Sequence, residues 1–438
     1  MAGREIKVGL IGFGTIGTGV IKILHRHAAA IRERVGCAVR LARVVDLDLT
    51  TDRGIRVERR LLTTDARLVL DDPAIDIVIE LIGGYEPARR FVLGALAAGK
   101  SVVTANKALL AVHGAEIFAE AERRKVDLGF EASVGGGIPI IRTLKEGLAG
   151  DRTRAIYGIV NGTSNYILST MTEEGRPFAE VLQQAQRDGL AEADPTYDVE
   201  GIDAAHKLAL LATLAFGVHA RFPDVYTEGI RQIDPSDIAF ARAFGYTIKL
   251  LAIAKDHGRS IETRVHPTMI PRSHVLAGVR GAYNAIYVQG EALGSSMYFG
   301  LGAGMMPTAT AVVADVMEIA RAIVRRSSAR VPPLGRAWSA LRRVSARPMG
   351  EITSEYYLRI MVLDRPGVLA RLAGILGRKR ISIASVIQQE RRQGTTVPVV
   401  IRTHAAPERH LRRALQEITR LPAVKGKPVL LRIEDHLG

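Results

Sequence analysis

The stretch EIKVGLIGFGTIG, residues 5–17, decides the architecture of the first third of this 438-residue chain. Glu5 to Ile11 is an apolar run of strand length that stops at a glycine. Gly12, Gly14 and Gly17 then fall at the G-x-G-x-x-G spacing: one for a tight turn, one for close approach of backbone to a pyrophosphate, one for close packing of helix on strand. A helix-like run from Thr15 to about Val35 follows. Gly12, Phe13, Gly14, Thr15, Ile16 and Gly17 are therefore the expected contacts of a dinucleotide at a helix N-terminus. The competing reading is a tight strand-helix turn without a ligand.

Outward from there, Ala38 to Val45 reads as a second strand ending at Asp46. A carboxylate there suits a ribose 2′-hydroxyl and hence NAD, Arg43 and Arg53 are near enough in sequence to suit NADP, and a turn-forming aspartate is the plain alternative. IDIVIELIGG (75–84), a helix from about Glu86 to Ala98, SVVTANK (101–107), a helix to Lys125 and VDLGFEASV (126–134) continue the alternation. This predicts an α/β, Rossmann-type, doubly wound parallel sheet over residues 1–150. Gly83, Gly84, Thr104, Asn106 and Lys107 sit at the carboxyl ends of its strands, where ligands bind. Lys107 either reaches such a ligand or is an ordinary exposed lysine at a junction.

After GGGIP (135–139) the pattern changes to strands at 154–160, 246–255, 261–269 and 283–290 with helices segregated from them, an α+β substrate and dimerisation domain over 151–304. NGTSNYIL (161–168) reads as a capped helix start, which can also receive a carboxylate. GLGAGMMPTATAVVADV (300–316), with Gly304 in its glycine loop, leads into a helix expected to return to the nucleotide domain as residues 305–325. Residues 326–353 read as linker. Residues 354–438 run strand, DRPG turn, helix, strand, strand, helix, strand, a ferredoxin-like βαββαβ unit.

Composition narrows the function. There is no uncharged apolar run of 18 residues and no signal-peptide pattern at the start, so a soluble cytoplasmic protein without membrane contact is expected. Cys37 is the only cysteine, which excludes an internal disulfide and thiolate metal clusters. The net charge of +15 comes from scattered arginines interspersed with acids. The scatter speaks against a nucleic-acid partner; an arginine-rich background explains the charge most simply, and attraction of anionic small ligands is a second consequence.

The one strongly acidic stretch is AQRDGLAEADPTYDVEGIDAAHK, residues 185–207. Pro195 and the glycines make its first half a loop, whereas Gly201 onward is helical, so Asp203 and Lys207 share a helical face at i, i+4. Such a pair is either a solvated salt bridge or a working acid/base couple.

This stretch resembles, position for position, the signature of homoserine dehydrogenases, through Ala185, Gly189, Leu190, Asp194, Pro195, Asp198, Gly201, Asp203 and Lys207. GLIGFGTIGTGV, ELIGG, VTANKALLA, EASVGGGIPII, NGTSNYIL and GLGAGMMPTATAVVADV are similar to that family's other blocks, so the resemblance covers roughly residues 4 to 325. The C-terminal unit resembles an ACT domain, an amino-acid-binding module of allosteric enzymes. The resemblance implies NAD(P)-dependent interconversion of L-homoserine and L-aspartate 4-semialdehyde, within threonine, methionine and isoleucine biosynthesis. It implies Lys207 as the acid/base group, Lys107 as a substrate or cofactor contact, Glu192, Asp198 and Asp203 at the substrate, and Gly189 at the nucleotide. It further implies a monovalent cation, usually sodium, at Glu131, Val134, Gly136 and Ile138, mostly through backbone carbonyls. In the ACT module it implies threonine near Asp364 and Gly367 and the strand from Ile383 to Gln388, at an interface within a homo-oligomer, dimer or tetramer. Many members carry arginine or lysine just before the position of Asp46; this chain has Val45, which goes with the NAD reading of Asp46.

Chemistry supports the assignments. Oxidising an alcohol needs a proton acceptor beside the hydride acceptor, and a lysine serves if burial or neighbouring cations bring it toward the operating pH. Glu192 is a suitable counter-ion for a substrate ammonium. An acylating semialdehyde dehydrogenase is excluded because its nucleophilic cysteine has no counterpart in the second domain. A non-catalytic amino-acid sensor on the same scaffold is the alternative, with Lys207 then only a structural ion pair.

Overall fold

The computed structural model describes residues 5–388 and 396–437. The chain divides into two compact units, one of residues 1–162, 203–225 and 283–344, the other of residues 163–202, 226–282 and 345–438.

In the first unit, β1 (Ile6–Ile11), β2 (Val39–Val45), β3 (Leu62–Thr63), β4 (Ile77–Glu80), β5 (Ser101–Thr104) and β6 (Leu128–Gly129) form a parallel sheet in the order β3-β2-β1-β4-β5-β6. Ile6, Val8, Leu10, Ile77 and Ile79 are fully buried, as a parallel sheet covered on both faces requires. The order reverses between β1 and β4, so the crevice at the carboxyl ends opens where Gly12 and Gly83 lie. The helix Met305–Val324 packs against the helix α1 (Thr15–Arg26) so closely that a Cβ on Gly19 would stand 2.9 Å from Cβ of Ala309. Ala309, Val312, Val316 and Ile319 thereby join the core around β1.

The expected single helix from Thr15 to Val35 is broken at His27, and a second helix, α2, runs Ala28–Val35. The break turns Ile31 and Val35 into the same core as Val20, Ile21 and Leu24. The sixth strand is shorter than the expected 126–134. After Gly129 the chain makes a 3-10 turn, Glu131–Ser133, because the Glu131 amide donates to Asp315 Oδ2 at 2.8 Å. The edge strand β3 and a strand at Ser295–Leu301 were not expected; the latter alternates exposed and half-buried residues and ends in the glycine loop.

Asp315 is 6% exposed, and burial, with the Glu131 charge adding to it, pushes its carboxyl up to about 7. An acid raised this far destabilises the fold once the unfolded chain ionises near pH 3.8, and the penalty grows until pH 7. Its ceiling is roughly 4 kcal/mol. Asp315→Asn keeps an oxygen for the Glu131 amide. It should therefore melt higher than the parent at pH 8 and lose that advantage by pH 4; parallel melting curves across that range would refute it.

The remainder of the first unit includes the antiparallel strands Thr153–Ile159, Tyr283–Gly290 and Ser295–Leu301. The stretch expected as linker is tied down in its first half: Leu334 and Leu341 are buried and Trp338 stacks on Phe118 at 5.9 Å.

In the second unit, Tyr246–Asp256 and Ser260–Pro271 form a long antiparallel hairpin. The C-terminal strands Thr353–Leu363, Ile383–Gln388, Thr396–Thr403 and Val429–Ile433 lie in the order last, first, third, second, which with helices Val368–Arg378 and Glu408–Thr419 is the ferredoxin-like arrangement. It has its own core around Tyr356, Leu358, Leu372, Ile401 and Ile418. One edge of this sheet is covered within the chain, where Val429–Ile433 runs parallel to Ser260–Pro271 with Thr268 opposite Arg432. Charges suit that seam: Arg264 pairs with Glu262 and Glu434, and Arg432 with Glu228 and Glu408, all largely buried. No helix among the described residues is long and apolar enough to cross a membrane.

Candidate active site

The helix Ile202–Phe216 holds the centre of the site. Its residues are almost all buried, so the few polar ones must be paired. Asp203 Oδ2 accepts from Lys207 Nζ at 2.6 Å, one helical turn on, and from Asn161 Nδ2 at 2.9 Å. Its Oδ1 meets Lys107 Nζ at 3.0 Å. Lys207 Nζ also donates to the Val160 carbonyl at 2.7 Å. Burial alone would raise the Asp203 carboxyl, but Lys207 and Lys107 beside it hold it well below the usual carboxylate range. Lys207 is buried with a side-chain exposure of 10%, whereas Lys107 is 39% exposed and open to a ligand. Next on the helix, His206 stacks on Phe222 at 4.0 Å, and burial pushes its ring toward the neutral form.

Lys107 reaches Asp203 because it opens the helix Lys107–Arg124, whose N-cap, Asn106, accepts from the Leu109 amide at 3.1 Å and donates to the Gly84 carbonyl at 2.7 Å. One strand over, Glu80 is fully buried at the end of β4, accepting from Thr104 Oγ1 at 2.7 Å and the Ile82 amide at 2.9 Å. Burial raises its carboxyl despite these bonds. Glu80 thus ties Thr104 to the Gly83 turn. Sequence reasoning missed Glu80, Asn161 and the Val160 carbonyl. The signal for Glu80 was present, an acid ending an otherwise apolar strand in ELIGG; nothing local marked Val160.

The nucleotide crevice is a cavity of about 890 Å³ whose lining includes Gly12, Gly14, Asp46 and Gly83. Gly12 has φ 107, and a Cβ there would be 2.7 Å from the Leu81 carbonyl carbon; on Gly17 it would be 2.1 Å from the Gly12 oxygen. Thr15 and Ile16 begin α1, with Gly14 and Thr15 exposed. Asp46 accepts from the Phe13 amide at 2.5 Å and the Asp48 amide at 2.9 Å, so it also braces the glycine turn. Arg53 lies 4.0 Å from Asp46 and over the Phe13 ring, while Arg43 is bonded to the Arg60 carbonyl. Gly304, φ 118, starts the helix Met305–Val324. The glycine turn, the Asp46 brace and the cavity fit a dinucleotide.

In the loop from Glu131 to Ile138, expected from the resemblance to receive a cation, Glu131 accepts from the Ile141 and Arg142 amides at 2.8 and 2.9 Å. Val134 and Ile138 are buried, and Gly136 packs where a Cβ would be 2.5 Å from Gly302. No group of three or more acid, histidine or cysteine side chains among the described residues could hold a metal. The available donors are oxygens, as a hard cation requires. In the second unit, Gly189 has φ 70, Glu192 is exposed, and Asp198 accepts through its carbonyl from Ser164 Oγ at 2.8 Å. Asp364 and Gly367, φ 85, form the turn before helix Val368–Arg378, and Ile383 and Gln388 are the ends of their strand.

Comparison with known proteins agrees with this geometry. The profile of the homoserine dehydrogenase family matches residues 139–317, that of the homoserine dehydrogenase NAD-binding domain residues 12–131, and that of the ACT domain residues 356–423. The chain is 45% identical to a homoserine dehydrogenase of Pseudomonas aeruginosa over 99% of both chains. A crystal structure of a homoserine dehydrogenase from Thiobacillus denitrificans superposes with a TM-score of 0.93 at 46% identity, covering 99% of both chains. A hyperthermophilic archaeal homoserine dehydrogenase in complex with NADPH matches 72% of this chain and 97% of its own, with a TM-score of 0.60 at 24% identity, a likeness of fold.

Proposed function

Because the chain belongs to the homoserine dehydrogenase family, we propose that Lys207 carries the proton and Asp203 sets its position in the reaction at this site. The activity itself is the NAD(P)-dependent interconversion of L-homoserine and L-aspartate 4-semialdehyde. The observation that carries the assignment is the single buried carboxylate shared by two lysines from different parts of the chain.

The bound nicotinamide supplies the acceptor or donor of hydride. The Val160 carbonyl and the Asp203 carboxylate hold the Lys207 ammonium in place, and that position presents it to the substrate oxygen. In the reductive direction it donates a proton to the developing alkoxide, and in the oxidative direction it accepts one from the hydroxyl. Lys107, the more exposed of the two, adds positive charge for that oxygen or for the cofactor. Glu192, with Asp198, answers the substrate ammonium, and Gly189 belongs to the nucleotide contacts.

The finer assignments follow from the same reading. Asp46 favours NAD through the ribose hydroxyl, and Arg53 beside it is the residue that admits NADP. The carbonyls of Val134, Gly136 and Ile138 with Glu131 hold sodium. Threonine binds at Asp364, Gly367 and the strand Ile383–Gln388 and lowers the rate. Copies of the chain associate as a dimer or tetramer, a reading supported by the exposed Tyr283, Met297, Phe299 and Leu301 on neighbouring strands; a monomer by sedimentation at micromolar concentration would refute it. The enzyme then works in the cytoplasm, in threonine, methionine and isoleucine biosynthesis.

One set of initial rates tests the ligands: homoserine oxidation with NAD and NADP side by side, in sodium and in choline chloride, with and without excess threonine. Turnover with neither nucleotide would sink the site assignment, equal rates in both salts the cation, and indifference to threonine the regulation. The full chain must be used. Cutting off the C-terminal module strips the edge of Ser260–Pro271 and leaves Arg264 without Glu434 and Glu228 without Arg432. Each broken buried pair costs about 3–5 kcal/mol. Truncation is therefore expected to unfold the second unit, and Asp364→Ala in the full chain is the variant that should blunt the threonine response while leaving the basal rate intact.

A further inference from the structure

A cavity of about 340 Å³ in the second unit is lined by the helices Gly162–Glu174 and Pro235–Ala243, the strand Tyr246–Asp256 and the turn that follows Ser260–Pro271. None of its lining residues belongs to the Lys107, Asp203 and Lys207 cluster or to the nucleotide crevice. Lys249, 3% exposed, contributes to its wall. Its Nζ donates to Asn165 Oδ1 at 3.0 Å and to the Val279 carbonyl, which leaves one N–H of the ammonium. Among the described residues no carboxylate lies within ion-pair distance of it. Ser169, 6% exposed, lines the same cavity, and its buried hydroxyl has no partner there. Arg242, Arg272 and Arg280 are exposed at the rim, and Glu173, 3.4 Å from Arg280, is the one acid in the lining.

A buried ammonium with no carboxylate in ion-pair contact, only the more distant charge of Glu173 acting on it, and a buried hydroxyl without an acceptor are both costly, and both can donate to the same kind of group. Burial, with the Arg280 charge adding to it, pushes the lysine down to about 8. An anion in the cavity would satisfy both donors at once, and the guanidinium forks at the rim would close over it. The volume exceeds what a monoatomic ion needs, and donors arriving from several sides suit a tetrahedral oxyanion. We propose that this cavity binds a phosphate group, carried by inorganic phosphate or by a phosphate monoester.

The test is calorimetric titration of the full-length protein with inorganic phosphate and with glycerol 2-phosphate, against sodium chloride at matched ionic strength. Saturable binding of either, beyond the chloride control, is the expected result. Tighter binding of the ester identifies a phosphorylated metabolite, and equal or tighter binding of the inorganic ion identifies free phosphate. Lys249→Met removes the buried donor and risks the fold. The exposed pair Arg272→Ala and Arg280→Ala does not, and should weaken phosphate binding at least about tenfold for each arginine lost. Homoserine turnover without phosphate should stay at the parental rate in the rim variants. Phosphate binding no stronger than chloride, or undiminished in the folded double rim variant, overturns the proposal.

Discussion

Lys207→Ala is expected to lower kcat for homoserine oxidation by about 10²–10⁴-fold, the usual contribution of a positioned acid/base group. The fold should survive, because Asp203 keeps Lys107 at 3.0 Å and Asn161 at 2.9 Å after the loss. Nucleotide affinity should also survive, because the glycine turn and Asp46 are untouched. Lys207→Arg separates charge from proton transfer: the guanidinium retains the ion pair but does not release a proton near neutral pH. It should restore the melting temperature and not the rate. A parental kcat in Lys207→Ala would remove the lysine from the chemistry and leave it a structural ion pair.

Asp203→Ala should be the most destabilising single change at the site. It strands the buried Lys207 and takes a partner from Lys107, a loss of about 3–5 kcal/mol for breaking a buried pair. The rate should fall as well, since both lysines lose their anchor. The double variant Asp203→Ala, Lys207→Met should recover part of the stability and none of the activity, because the stranded charge is gone. A double variant less stable than Asp203→Ala alone would show that the cost does not come from the unpaired charge. The pH dependence has a definite sign. Asp203 is held below its ordinary value of 3.8, so its contribution is fully present above that pH and is lost as the pH falls through the lower folded value. The stability gap between the parent and Asp203→Asn should therefore narrow below about pH 4.

Much of the fold was legible because it is written in short-range terms. The strand, turn and helix at residues 5–17 follow from apolar periodicity and from three positions where a Cβ will not fit or would hold the backbone away from a ligand. The Asp203 and Lys207 pair follows from helical spacing alone. The misreadings also have local causes. Periodicity carried the first helix through His27, although its core contacts require a break there. The strand Ser295–Leu301 was hidden because glycines at 300, 302 and 304 read as loop.

What the sequence by itself determined is therefore most of the elements, the glycine turn with its acid at Asp46, and the i, i+4 pair at the centre of the site. Only the tertiary structure decided that Lys107, Asn161 and the Val160 carbonyl converge on that pair, that Glu80 fastens Thr104 to the Gly83 turn, and that the last strand of the C-terminal module lies beside Ser260–Pro271. The physical reason is that side-chain periodicity reports which face of an element is buried but not which element buries it. That depends on strand order and on the pairing of charges that burial leaves without water.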